Sequence, residues 1–416
     1  MNRKKICVAV AAVVIVSVLL VPASALCFLY FYPGVGQSPD SQMRDSYLGR
    51  SDHFDGLRFS NENDFRQITG EAEETSDRRI PTDKIPVVHQ ENIGRGTPGK
   101  LYVMWLGHSS SLVQLGDKNI LIDPVLTDYS SPVGFAGVRR FSDVPVSPED
   151  LPETDILLIS HDHYDHLDYQ TILLIDEKVR TYVVPLGVEA RLLGWGVAPE
   201  KIRTLDWWEE TEIGGITVTA VPTQHSSGRN PLEISRTLWC GYYFRDADHS
   251  VYYTGDGGYY DVFERIREKC GKPDLALTEC GQYGKGWPMI HMFPEQTVQA
   301  SIDVGAEWII PVHWGAFSIS NNAWDDSIIR LTKSAEQRGV RASTPRIGER
   351  VDYDEIQNYQ EHWWEGLNRI RQRRLHQKTG EHQDSVNTQN RTFREKTVVK
   401  HKVRDCVKNT VVRTQL

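Results

Sequence analysis

The chain has 416 residues and a formal net charge of −9, from 47 Lys and Arg against 56 Asp and Glu. An acidic balance with no basic stripe through the core excludes a nucleic-acid-binding module, and six cysteines without a CxxC pair exclude a disulfide framework. There is no glycine-rich phosphate loop and no serine elbow, which excludes ATP use and Ser-His-Asp hydrolysis.

Arg3, Lys4 and Lys5 precede an apolar run from Ile6 to Tyr32 that contains no charge. At roughly 1.5 Å per residue, about 27 residues exceed a bilayer core near 30 Å. The basic flank therefore predicts a transmembrane helix within 1–32, a cytoplasmic amino terminus and the remaining chain on the outer side. Ala23-Ser24-Ala25 resembles a peptidase site and offers secretion after cleavage as the alternative. The run continues past it from Leu26 to Tyr32, which favours an uncleaved anchor. Residues 33–99, rich in Asp, Glu, Arg, Asn and Pro, read as a stalk and an extension draped on the core.

A single large domain is expected over 100–352. Strands are predicted at Leu101–Trp105, Ser111–Leu115, Ile120–Ile122, Asp155–Ile159 and Ile216–Val221, and helices at Tyr169–Asp176, Gly187–Leu193, Tyr260–Glu268, Glu295–Val304 and Asp325–Gln337. Strands and helices interleaved in two halves fit an αβ/βα sandwich. Residues 353–416 read as a basic, disordered tail: from Gly366 onward there are 13 Lys and Arg against 4 Asp and Glu. Such a tail is either solvated or in contact with anionic lipid headgroups. Cys240, Cys270 and Cys280 fall in the core and are expected to be free thiols.

Ser160-His161-Asp162-His163-Tyr164-Asp165-His166 leaves the end of a predicted strand. Three imidazoles and a carboxylate in six positions are ligand types that first-row metals prefer, and a turn can aim alternate side chains at two adjacent ions. His225, Asp256 and His313 each follow an apolar strand. Singly, each would read as a structural strand-end residue. Together with HxHxDH they fit the rule that working sites in α/β layers gather at strand ends.

On these motifs the chain resembles the metallo-β-lactamase superfamily, and within it the branch of N-acylphosphatidylethanolamine-hydrolysing phospholipase D. The likeness spans roughly Lys100 to Arg350. It is carried by Trp105-Leu106-Gly107-His108-Ser109-Ser110, Leu121-Ile122-Asp123-Pro124-Val125, HxHxDH, Gln224-His225 with Arg236-Thr237-Leu238-Trp239, Gly255-Asp256, His291 with Pro294-Glu295, and Pro311-Val312-His313-Trp314. The stretch Leu277–Met292 departs from the branch in its own wording at Glu279, Cys280, Gln282 and Lys285.

The resemblance implies a four-layer αβ/βα metallo-β-lactamase sandwich and two Zn2+ ions. His161, His163 and His225 would hold one ion, Asp165, His166 and His313 the other, with Asp256 between them. Asp165, Asp256 and His291 would serve catalysis, and His291 and Gln224 would contact substrate. His291 otherwise reads as a helix-capping loop residue, and Gln224 as a residue that orients a ligand or as a surface amide. Asp123 is read as bonding a ligand or shaping its Asp-Pro turn, His108 as facing the site or packing, and Asp162 and Asp168 as supporting or solvated. Paired zinc ions acidify water to near neutrality, so that hydroxide can attack phosphorus or a carbonyl. The implied reaction is hydrolysis of a glycerophospholipid to phosphatidic acid and an N-acylethanolamine-like alcohol. The alternatives are a lactone or ester hydrolase on the same fold and a non-catalytic lipid-binding membrane protein. Trp287, Phe293, Trp314, Phe317 and Trp324 are candidates to line an acyl groove. The sequence carries no signal of oligomeric state.

Overall fold

The computed structural model describes residues 20–63, 69–71 and 73–367. The chain falls into two units, Met1–Glu361 and His362–Leu416. In the second, residues 363–367 are helical, and the basic tail from 368 onward lies outside the described residues.

The described part of the first unit begins with a helix over 20–31 (α1) and continues through α2 (Ser41–Leu48). Most of the expected membrane span, up to residue 19, lies outside the described residues. No described helix is long and apolar enough to cross a membrane. Leu20, Val21, Leu26, Phe28, Tyr30 and Phe31 of α1 are all exposed. From Pro33 the chain lies against the core, burying Val35, Tyr47, Phe54, Phe59 and Ile85.

The core strands follow in order: β1 (Leu101–Gly107), β2 (Ser110–Leu115), β3 (Lys118–Ile122), the short flap strands β4 (Tyr129–Ser130) and β5 (Val138–Arg139), and β6 (Thr154–Leu158). After α3 (Tyr169–Ile175) come β7 (Val179–Pro185), α4 (Glu189–Gly194), β8 (Ile202–Leu205), β9 (Glu210–Ile213), β10 (Ile216–Val221), β11 (Gly241–Arg245) and β12 (Ser250–Tyr253). The unit closes with α5 (Val262–Cys270), β13 (Leu275–Glu279), α6 (Pro294–Val304), β14 (Trp308–Val312), α7 (Asp326–Arg338) and β15 (Arg350–Asp352). One sheet has the order β15-β1-β2-β3-β6-β7-β8, the other β14-β13-β12-β11-β10-β9.

Composition explains the two kinds of strand. β6 (TDILL), β13 (LALTE) and β14 (WIIPV) are parallel to their neighbours and buried along their whole length, as strands covered on both faces must be. The edge strand β9 (ETEI) alternates in exposure because only one face meets the core. Leu157, Ile159, Leu167, Ile172, Ile175, Val184, Val188 and Leu192 form one apolar cluster that seats α3 and α4 on the first sheet. Between the sheets, the Tyr242 hydroxyl donates to the carbonyls of Ile159 (2.8 Å) and Val183 (3.1 Å), and Trp105 stacks on Trp314.

The five predicted helices form with their ends moved by two residues or fewer, and Cys240, Cys270 and Cys280 are free. The unit runs past the expected boundary at 352. Beyond β15, Thr344 N–H donates to Tyr359 O (2.6 Å) and Thr344 Oγ1 to Glu361 O (3.0 Å), which holds the chain on the unit through Glu361.

Candidate metal centre

Most residues of the site lie just beyond the carboxyl end of a strand: His108 after β1, Asp123 after β3, 160–166 after β6, His225 after β10, Asp256 after β12, His313 after β14; Glu279 is the last residue of β13, and His291 stands on the loop between β13 and α6. A register shift between Trp105 and Gly107 kinks the end of β1 and re-aims His108. His108, Asp123 and His313 have φ of 52°, 40° and 66°. Such left-handed backbone is rare outside glycine and costs free energy that the surrounding contacts must offset. The bridge between His108 and Trp314, with His108 N–H to Trp314 O at 2.9 Å and His313 N–H to His108 O at 2.8 Å, supplies part of it.

The side chains converge in overlapping sets whose ligand atoms lie within 4.8 Å of one another: His161, His163 and His225; His108, Asp165, His166 and His313; His161, His166 and Asp256; and Asp256, Glu279, His291 and His313. Asp256 is central. Its Oδ2 stands 3.0 Å from His166 Nε2, 3.3 Å from His313 Nε2 and 3.9 Å from both His161 Nε2 and His225 Nε2. All six other residues expected as ligands are therefore within the same cluster. His291 joins it on one flank, its ring stacked 5.3 Å from that of His313.

A layer of partners fixes the orientation of the rings. Asp123 Oδ2 accepts from His166 Nδ1 (2.7 Å), Ser160 Oγ (2.5 Å) and Tyr253 OH (2.6 Å). Ser109 Oγ pairs with His313 Nδ1 (2.9 Å), and His225 Nδ1 faces the Ile290 carbonyl (2.9 Å). His108, left open by the sequence between site and packing, is fully buried with Nε2 2.9 Å from Asp165 Oδ2. Glu279 stands out in the sequence only as a departure in wording. Its Oε2 lies 3.2 Å from His291 Nδ1, while Oε1 accepts the Met292 N–H (2.9 Å) and the Gly257 N–H (3.2 Å) beside Asp256.

Burial pulls His161, His225 and His313 well below the usual histidine value, which leaves neutral rings with lone pairs to offer. Burial alone would raise Asp165 and Asp256, but the neighbouring histidines outweigh it and hold both well below the usual carboxylate range. Burial would lower His291 too, and Glu279 reverses the sign. The residues fit a metal group on the chemistry of the set and on one further observation: Asp256 Oδ1 and His313 Nε2 are buried at the focus of the cluster without a hydrogen-bond partner.

The cluster floors a groove of about 370 Å³ whose walls include Val138, Trp287, Ile290 and Ile319 together with His163, Asp165, His225, Asp256, His291 and His313. Of the five aromatic residues that the sequence offers for a groove, Trp287 lines it and Phe293 does not, standing half-buried at the N-cap of α6. Trp314, Phe317 and Trp324 border a separate small cavity of about 20 Å³ and are buried, because they wedge the loops after β14. Gln224 is buried and not among the groove-lining residues; its Nε2 donates to the Met289 carbonyl (2.9 Å), next to the segment that carries His291. Asp162 and Asp168 are buried rather than solvated, the first against Arg191 and the second capping α3.

Residues 118–314 match the model of the Beta-lactamase superfamily domain. A protein of Mycobacterium tuberculosis, described as uncharacterized, is 40% identical over 276 residues, covering 65% of this chain and 74% of that one. The N-acyl-phosphatidylethanolamine-hydrolyzing phospholipase D 1 of Caenorhabditis elegans is 33% identical over 60% of this chain and 76% of its own length. A protein of Saccharolobus solfataricus named as a metal-dependent hydrolase is 30% identical over 53% of this chain and 84% of that one. Sequence likeness of that depth, on a chain whose strand ends gather this cluster, means that the protein belongs to the metallo-β-lactamase superfamily and has the fold of its metal-dependent hydrolases.

Proposed function

We propose that the chain is a dinuclear zinc phosphodiesterase of the phospholipase D type, acting on glycerophospholipids at a membrane surface. The observation that carries this reading is a groove with apolar walls and a floor of six histidines and aspartates that also line it. An acyl chain needs the walls, and a phosphodiester needs the floor. The likeness to the nematode phospholipase supports the substrate class.

His161, His163 and His225 would hold one cation, and Asp165, His166 and His313 the second, with Asp256 facing both. Two divalent cations bound there would bring the pKa of water toward neutrality and neutralise charge developing on the phosphoryl oxygens. The protein's own residues do the rest. Asp123, Ser109 and the Ile290 carbonyl fix the three rings so that their other nitrogens point inward. Glu279 engages Nδ1 of His291 and leaves Nε2 to donate to a phosphate or leaving-group oxygen. Val138, Trp287, Ile290 and Ile319 exclude bulk water from the bond that breaks. In the net reaction water adds to phosphorus and the headgroup alcohol departs protonated, leaving phosphatidic acid. The apolar run Ile6–Tyr32, whose end forms the exposed helix α1, would tether the domain to the bilayer that holds the substrate.

Mass spectrometry of a phospholipid extract containing N-acylphosphatidylethanolamine, incubated with the purified protein with and without chelator, tests the reading. The expected result is chelator-sensitive phosphatidic acid together with an N-acylethanolamine. Intact lipids alongside chelator-sensitive cleavage of lactones or esters would replace the phosphodiester with an acyl substrate.

A further inference from the structure

Immediately after α1, four consecutive backbone carbonyls each accept from a side chain of the core. Trp195 Nε1 donates to Pro33 O (2.7 Å), Arg229 Nη2 to Gly34 O (2.7 Å), Arg229 Nε to Val35 O (2.8 Å) and Arg191 Nη1 to Gly36 O (3.2 Å). The same two guanidiniums reach in the other direction into the HxHxDH turn. Arg229 Nη1 donates to the carbonyls of Asp162 (2.9 Å) and Leu167 (2.7 Å), and Arg191 Nε to Asp162 Oδ2 (3.1 Å). Asp162 lies between His161 and His163, and Leu167 follows His166. Arg229 also sits over the ring of Tyr164, 4.0 Å from its centroid.

We propose that residues 33–36 form a clasp that positions the metal-ligand turn, so that the exit of the apolar N-terminal segment is coupled to metal affinity and to the groove. The proposal rests on the reading of His161, His163, Asp165 and His166 as ligands. A guanidinium presents its N–H donors in a fixed fork, and both of these are buried. Arg191 pairs with Asp162 and Glu233, whereas Arg229 donates to backbone carbonyls, so the carbonyls of Gly34, Val35 and Gly36 satisfy donors that these two ion pairs leave over. Withdrawing those carbonyls leaves desolvated donors unpaired. Relief comes from moving the arginines toward water, which releases both ends of the turn. The clasp also touches the flap: a Cβ on Gly34 would lie 2.1 Å from Pro132 O, between β4 and β5, whose Ser130 and Val138 line the groove. Gly36 has φ 81°, and its Cβ would stand 2.9 Å from Arg191 Cδ. Neither position has room for a side chain.

The test compares the full chain in detergent with Gly34→Ala, Arg229→Lys and, as control, Gly49→Ala, whose added Cβ would meet nothing within 4 Å. Apo protein is titrated with Co2+ and its visible spectrum recorded. Gly34→Ala and Arg229→Lys should bind Co2+ about 10- to 100-fold more weakly, the range for partners that orient ligands, while the control matches the wild type. A chain lacking residues 1–36 should show the same loss, and a synthetic peptide of residues 30–40 should restore its spectrum. Wild-type affinity and spectrum in Gly34→Ala and Arg229→Lys would overturn the clasp, whether or not the truncated chain folds. A wild-type chain that takes up no Co2+ would instead overturn the metal centre itself.

Discussion

Asp256 and His291 lie in one cluster, yet their surroundings give them different work. Asp256 is within 4 Å of four imidazoles and has one oxygen without a partner, whereas His291 is engaged at Nδ1 by Glu279 and borders the groove. Asp256→Asn and His163→Ala are therefore expected to lose both bound metal and turnover. His291→Ala should keep its metal and lower kcat by about 100-fold or more, the usual scale for a positioned proton donor. Metal content by mass spectrometry beside steady-state kinetics separates the two. Zinc loss in His291→Ala would make it a ligand, and full activity in Asp256→Asn would remove that residue from the centre. The HxHxDH residues were legible because six adjacent positions carry the pattern. His108 is legible only as facing the site or packing, and Glu279 only as a departure in wording, because their local settings do not show which way the side chain turns.

Among elements, α3 matters most to the site because it begins where the ligand turn ends. Asp168 supplies its N-cap: Oδ2 accepts from Thr171 N–H (2.8 Å) and Thr171 Oγ1 (2.6 Å). Asp168→Ala should cost about 1 kcal/mol of stability, read as a lowered Tm, with metal affinity reduced in the same sample. An unchanged Tm would mean that the turn holds without its cap. The amphipathic helices were readable from periodicity, as in α5, where Val262, Phe263 and Ile266 face inward. Strands β7, β11 and β13 escaped sequence reading. Short apolar runs such as Leu275–Glu279 have no period that separates a buried strand from a buried helix turn, and only pairing with β12 and β14 decides it.

For the whole molecule, the N-terminal extension is part of the folded unit. Tyr47 of α2 donates a short hydrogen bond to Glu189 of α4, and the Gly187 N–H donates to the other carboxyl oxygen (2.7 Å). Burial raises the Glu189 carboxyl above its ordinary value against the lowering pull of these donors. The folded chain thus holds this proton more tightly than the unfolded chain. Its contribution to stability is complete below the unfolded value of about 4.3 and is lost as pH rises through the folded value. Glu189→Gln stays neutral, so its Tm relative to the wild type should climb as pH is raised from about 4 to 7. A constant difference over that range would show that folding does not raise the Glu189 pKa.

The chain's own order of residues was enough for the ligand turn, the strand-end placement of His225, Asp256 and His313, and the α/β character, because each is written in a local pattern of charge or apolar spacing. Tertiary structure alone decided which side chains serve those ligands. Asp123 meets His166 across 43 residues, Glu279 meets His291 across a loop, and Arg229 reaches Gly34 across 195. Such contacts join residues of ordinary type in ordinary local settings, and only the packing of two sheets makes them neighbours. The same holds for residues 33–36: their composition suggests a free stalk, but four carbonyls have an acceptor role that exists only once Arg191, Arg229 and Trp195 are folded beneath them.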